Sequence, residues 1–175
     1  DVFSEVDGEL VGSNPFACVQ LQGSLPPGTR LATREDLELL LGREPDYLKK
    51  MYVDFGVALH SAHEPNGYLA ERLVDQLEQL EISLGNGKLI PFSALSLVDD
   101  NHSPHGLALN LQPIAGKAVI DLDSYRWDYR VSQGMTRASL GWNSGWYSDY
   151  KDLAYSGSRG RIVVVSAAQG VEERL

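Results

Sequence analysis

Apolar positions recur at helical spacing in two stretches of the chain and at strand-like spacing in several others. Leu37, Leu40 and Leu41 follow Thr33, a capping residue with an acid three positions on at Asp36, and Gly42 closes the run. That pattern predicts a helix over 33–42. A second helical stretch spans 68–81, with Leu69, Leu73, Leu77 and Leu80 on one stripe and acids opposite. Pro45 can open a short helix over 46–50. The run 51–59 is β-branched and aromatic enough for a strand. The first 30 residues, punctuated by Pro15, Pro26, Pro27 and Gly28, read as irregular and strand-like.

Strands dominate after residue 81. Gly85-Asn86-Gly87 separates Ile82–Leu84 from Lys88–Ile90 as a hairpin turn would. Short strands are predicted over 94–98, 106–111 and 117–122, and a last one over 161–166 before a polar tail from 169. Helices in the first half and short antiparallel strands in the second predict an α+β fold, in a single domain over 1–175.

Composition alters this picture in one place. Between Arg137 and Arg161 fall Trp142 and Trp146, two of three tryptophans, with Tyr147, Tyr150 and Tyr155, three of eight tyrosines. Most of the remainder there is Ser, Gly, Asn or Asp. Tyr and Trp supply rigid contact area, while Ser, Gly and Asn supply adaptable hydrogen bonding, so the mixture is that of a recognition surface. The window carries Arg137, Lys151, Arg159 and Arg161 against Asp149 and Asp152, a mildly basic face on a chain of net charge −9. Such a balance argues against a general nucleic-acid binder. No stretch reaches the roughly 20 apolar residues of a membrane span, and no signal-peptide pattern is visible, so no direct membrane insertion is expected. The single cysteine, Cys18, excludes an internal disulfide framework.

Candidate chemistry is sparse. The four histidines form two pairs of identical spacing, His60 with His63 and His102 with His105. Two such pairs can complete a tetrahedral metal site, with Asp99 and Asp100 nearby as further oxygen donors, which defines a metal-binding alternative. The glutamate of HExxH is missing, and Pro104 keeps the second pair out of a helix. Asp121 and Asp123 with Tyr125 and Trp127 can line a sugar cleft, and Trp127, Trp142 and Trp146 can serve as stacking platforms, which defines a carbohydrate-binding alternative. No P-loop, GxSxG or GxGxxG pattern is present. The chain reads as non-enzymatic and free of cofactors.

From residue 140 a spaced set of Leu140, Trp146, Ser148, Leu153, Ala154, Ser156 and Ser158 alternates with Gly, Trp, Asn, Tyr, Asp and Arg positions, and Gly160–Val165 (GRIVVV) closes the window. In this the chain resembles the variable proteins of diversity-generating retroelements, in which targeted adenine mutagenesis rewrites chosen codons near the 3′ end of the gene. The likeness covers about 135–166, and the segment Leu25–Leu37 (LPPGTRLATREDL) is similar to the helix entry of lectin-like domains. The resemblance implies a C-type-lectin-like fold and a ligand-binding region over about 137–161. Its variable positions would be Ser139, Gly141, Trp142, Asn143, Gly145, Tyr147, Asp149, Tyr150, Asp152, Tyr155, Gly157 and Arg159. It further implies a macromolecular ligand, a protein, and display at a surface or outside the cell. Paired lectin cysteines, a calcium-binding triplet and the catalytic cysteines of formylglycine-generating relatives are absent, and the segment 82–119 has no counterpart in the family.

Overall fold

The computed structural model describes residues 4–6, 9–60, 67–99 and 109–166. A small hairpin, β1 (Ser4–Val6) and β2 (Glu9–Val11), leads into α1 (Pro15–Gln22) and β3 (Thr29–Leu31). Then come α2 (Arg34–Arg43), the long β4 (Tyr52–Leu59) and α3 (Gly67–Gln79). The second half holds β5 (Lys88–Pro91), β6 (Leu95–Asp99), β7 (Leu109–Pro113), β8 (Ile120–Asp121) and β9 (Tyr129–Arg130). It closes with β10 (Met135–Leu140), β11 (Trp146–Ser148), β12 (Gly160–Arg161) and β13 (Val164–Ser166). The architecture is α+β, with the described α-helices in the first half and single 3-10 turns at Phe92–Ala94 and Leu122–Ser124 in the second.

The main sheet runs β8-β5-β4-β10-β11-β9, and β12 adds alongside β4 below the end of β5. The strands are not all antiparallel, because β9 lies parallel to β11 and β12 parallel to β4. β4 is buried from Val53 to Leu59 because apolar clusters cover it on both faces. On one side α1 and α3 pack Phe16, Val19, Leu73 and Leu77 over Val57, Leu59 and Ile90. On the other, Leu37 of α2, Leu48, Leu122 and Trp146 pack over Val53, Phe55 and Ala58. Each fully buried side chain of this size contributes about 1.5–3 kcal/mol.

Thr33 caps α2 in a full capping box with Asp36, as its spacing predicted. Several expectations are corrected. Residues 15–22 form a helix where an irregular, strand-like run was predicted. Asn14 accepts the Ala17 N–H at 2.9 Å and Pro15 presets the first turn. The stretch 46–50 makes successive i−3 turns instead of a helix, and Lys50 leaves it at φ 63°. Residues 82–84 form no strand. The Ile82 N–H closes the end of α3 on the Leu77 carbonyl, and Ile82 and Leu84 pack on the helix-side core. The strand predicted over 161–166 is two, with Gly160–Arg161 on β4 and Val164–Ser166 antiparallel to β3. Residues 106–108 of another predicted strand and the tail from 169 lie outside the described residues.

Candidate functional site

The β10–β11 hairpin places the aromatic window. Ser139 faces Tyr147 and Leu140 faces Trp146 across the ladder. The turn is held by the Gly141 N–H on the Gly145 carbonyl (2.8 Å) and by Asn143 Oδ1, which accepts the Gly145 N–H (3.0 Å) and the Tyr147 hydroxyl (2.8 Å). Trp142 stands at the tip, 59% exposed. The Tyr147 ring lies across Gly141, where a Cβ would come within 2.1 Å of Tyr147 Cε2. β9 is tied to β11 from outside. The Asp128 N–H donates to the Trp146 carbonyl at 2.9 Å, and the Trp146 N–H donates to Asp128 Oδ2 at 2.8 Å. Tyr129 therefore stacks on Tyr147, with centroids 4.7 Å apart and planes 11° apart.

The loop beyond β11 is fastened from below by Arg137. A bulge, where the register against β4 shifts between Ala138 and Ser139, turns Asp54 to the side of the sheet that Arg137 occupies. Arg137 Nε donates to Asp54 Oδ1 at 2.9 Å and Nη2 to Asp54 Oδ2, with both side chains buried. Arg137 also donates to the carbonyls of Ser13, Asp152 and Tyr155. Burial opposes its charge, and the Asp54 carboxylate more than offsets that, so the guanidinium holds its proton more tightly than usual. Arg137 thus adds no charge to the surface, which corrects its place in the mildly basic face. Tyr52 completes the anchor, donating to the Ser13 carbonyl (2.9 Å) and accepting the Gly157 N–H (2.8 Å). Gly160 admits no side chain, since a Cβ there would meet Ser13 N at 2.6 Å and the Tyr52 hydroxyl at 2.7 Å. Over this base Tyr150 and Tyr155 meet edge to face at 5.7 Å, each about half exposed.

The other face of β11 is closed. Arg34 of α2 lies over Trp146 (4.3 Å), Tyr125 (4.6 Å) and Trp127 (5.0 Å), and donates to Glu38 and the Arg126 carbonyl. Burial pushes the Tyr125 hydroxyl up to about 12, helped by its hydrogen bond to Glu35.

Among the twelve positions proposed as variable, Trp142, Asn143, Tyr150, Asp152, Tyr155 and Arg159 are exposed. Ser139, Gly145, Tyr147, Asp149 and Gly157 are half-buried, and Gly141 is buried. Of the alternating set, Leu140, Trp146, Ser148 and Leu153 are buried, Ala154 and Ser156 half-buried and Ser158 exposed. Of the proposed sugar platforms, Trp146 is 6% exposed beneath Arg34 and Trp127 stacks on Phe55 at 6.1 Å, which leaves only Trp142 open. Asp121 pairs with Lys88, and Asp123 with Arg130 at 2.8 Å, so the two carboxylates are separately engaged.

His60 is buried, with Nε2 3.0 Å from Thr136 Oγ1. Burial, then the charge of Arg130, pushes its pKa down to about 4. His63, His102 and His105, with Asp100, lie outside the described residues. Among the described residues no group of three or more His, Cys, Asp or Glu side chains is placed to hold a metal. Burial pushes the Cys18 thiol up, Asp54 adding to it, which is the setting of an inert buried residue. An apolar cleft of about 290 Å³ between Thr29–Thr33 and Phe92 takes no residue from 137–161. No described helix is long and apolar enough to cross a membrane.

Compared with family models, with curated proteins and with solved structures, the chain matches none. Sequence reasoning missed Tyr129, Asp54 and Arg34. Tyr129 ends the alternation Tyr125-Arg126-Trp127-Asp128-Tyr129, a period of two that could have found it, whereas the pairing of Asp54 with Arg137 spans 83 positions.

Proposed function

We propose that this chain is a non-enzymatic binding protein whose C-terminal face recognises a protein partner, with the face diversified at the gene by a retroelement. In this reading the α+β scaffold is a C-type-lectin-like fold, and 137–161 is its ligand-binding region. One observation carries the reading. Within that window four of the seven positions taken as fixed, Leu140, Trp146, Ser148 and Leu153, are buried, against one of the twelve taken as variable, Gly141. Substitution at exposed positions over a packed base changes recognition with little cost to the fold. Trp142, Tyr150 and Tyr155 are exposed large rings beside the half-buried Tyr147, and an aromatic surface of that kind is the usual mark of an interaction site. Burying two or three of them in a partner pocket is worth about 2 kcal/mol each, a hot-spot contribution.

The DNA around the gene tests the reading. A neighbouring reverse transcriptase and an imperfect copy of the codons for 137–161, differing mainly at template adenines, are expected. Natural alleles should differ at the twelve positions and agree at Leu140, Trp146, Ser148, Leu153, Ala154, Ser156 and Ser158. Alleles that vary uniformly along the chain, with no repeat and no reverse transcriptase, would overturn it.

A further inference from the structure

We propose that the stacked pair Tyr129–Tyr147, with the carboxylates of Asp149 and Asp128 beside it, docks a cationic side chain of the protein partner, arginine above all. This rests on the binding-protein reading and names the chemistry of one part of the same face. Tyr129 and Tyr147 are cross-strand partners, so both rings leave the sheet on one side. Tyr129 is 50% exposed, and it lies outside the window 137–161. The hairpin turn fixes the platform, because Asn143 holds the Tyr147 hydroxyl and Gly141 leaves room for the ring.

The charge beside the rings is negative. Asp149 lies two positions beyond Tyr147 and enters no hydrogen bond or ion pair among the described residues. Its charge and that of Asp128 both bear on the Tyr147 hydroxyl. Asp128 uses one oxygen on the Trp146 N–H, and its other oxygen faces Arg126 at 3.4 Å. That pair is a weak surface contact, since Arg126 is 77% exposed. Arg137, on the same side of the sheet, is buried and paired with Asp54.

A guanidinium suits this arrangement. It is planar and weakly hydrated, it stacks on a tyrosine face, and its N–H fork pairs with a carboxylate at the same time. The molecule makes the same combination on the other face of β11, where Arg34 covers Trp146 at 4.3 Å and binds Glu38. A phosphate or carboxylate of a partner would instead meet two carboxylates. An apolar side chain would cover the rings and leave Asp149 desolvated without a partner. The net charge of −9 also favours long-range approach of a cationic partner.

A random peptide library displayed on phage, panned against the whole chain, tests this. The recovered peptides are compared on wild type, Trp142→Ala, Tyr155→Ala, Tyr129→Ala, Tyr129→Phe, Asp149→Asn and Asp75→Asn. The last removes an exposed acid from α3 with the same change in net charge. The expected result is peptides rich in arginine that bind Tyr129→Ala and Asp149→Asn about tenfold more weakly. The same peptides should bind Tyr129→Phe and Asp75→Asn as they bind wild type. An equal loss on Asp75→Asn would reduce the effect to net charge and overturn the site. Peptides lost on Trp142→Ala and Tyr155→Ala but unmoved by Tyr129→Ala and Asp149→Asn would overturn the cationic site and leave the binding face standing. Peptides indifferent to all four of these substitutions would overturn both. Thermal melts of each variant establish that it is folded, and if Tyr129→Ala does not fold, Asp149→Asn decides.

Discussion

Trp146 and Tyr147 are neighbours on β11 and end in opposite surroundings. Trp146 is 6% exposed, roofed by Arg34 and flanked by Phe55. Tyr147 is half-buried, stacked on Tyr129, with its hydroxyl held by Asn143. Both sides of the strand are aromatic, so composition does not separate them. What separates them is cover. α2 and the segment 122–127 close one side, whereas on the other the core under α1 and α3 takes in β4, β5 and Met135 at the start of β10 but no residue of β11. There the loop 149–159 serves as cover, clipped to Arg137 from beneath and anchored by Leu153 in the helix-side core. The proposed recognition face is thus a sheet face whose covering element is a loop, made rigid by a buried ion pair.

The contrast can be broken at its base, and the effects rank by burial. Arg137→Met strands the buried Asp54 carboxylate and frees the loop, and should cost about 3–5 kcal/mol in urea unfolding. Adding Asp54→Leu should recover only part of that loss, since the Asp152 and Tyr155 carbonyls still lack their donor. Trp146→Ala should cost about 3–5 kcal/mol, as buried aromatic truncations do. Its neighbour sharpens the comparison, because Tyr147→Ala should cost about 1 kcal/mol or less while removing half of the exposed stack. Equal losses for the two would show that both faces of β11 are core.

A further effect is a slope with pH. His60 has its pKa pushed from 6.5 down to about 4, by burial first and Arg130 second. Below 6.5 the unfolded chain takes up a proton that the folded chain refuses until about 4, so stability falls as pH drops through that window. His60→Gln should flatten the corresponding part of a denaturation series between those pH values; an unchanged slope would show that His60 does not titrate differently on folding.

Local signals carried much of the fold into the sequence. The capping box at Thr33 and Asp36, the leucine stripe of α3 and the apolar run of β4 each lie within a few residues of the element they specify. The helix at Pro15–Gln22 had its signal too, in Asn14-Pro15, which reads equally well as a turn when no apolar stripe follows. Buried on almost every side at its first five residues, α1 has no polar face to give it a period. Contacts distant in the chain were not legible. Nothing near Arg137 announces Asp54, and the bulge that joins them lies in the pairing of β4 with β10, two strands far apart in the chain. For the candidate site, composition located the aromatic window but could not divide it, because Trp146 and Trp142 read alike until the pairing of β10 with β11 turns one inward.

Gly141 and Tyr147 bear on how many faces such a chain can display. With a Cβ at 141 only 2.1 Å from the Tyr147 ring, the two positions do not vary independently. Any larger residue at 141 evicts the tyrosine or demands a small residue at 147. Under the proposed diversification, the repertoire is therefore smaller than the product of its positions, and the gap in the count should appear as pairs of residues at 141 and 147 that never occur together.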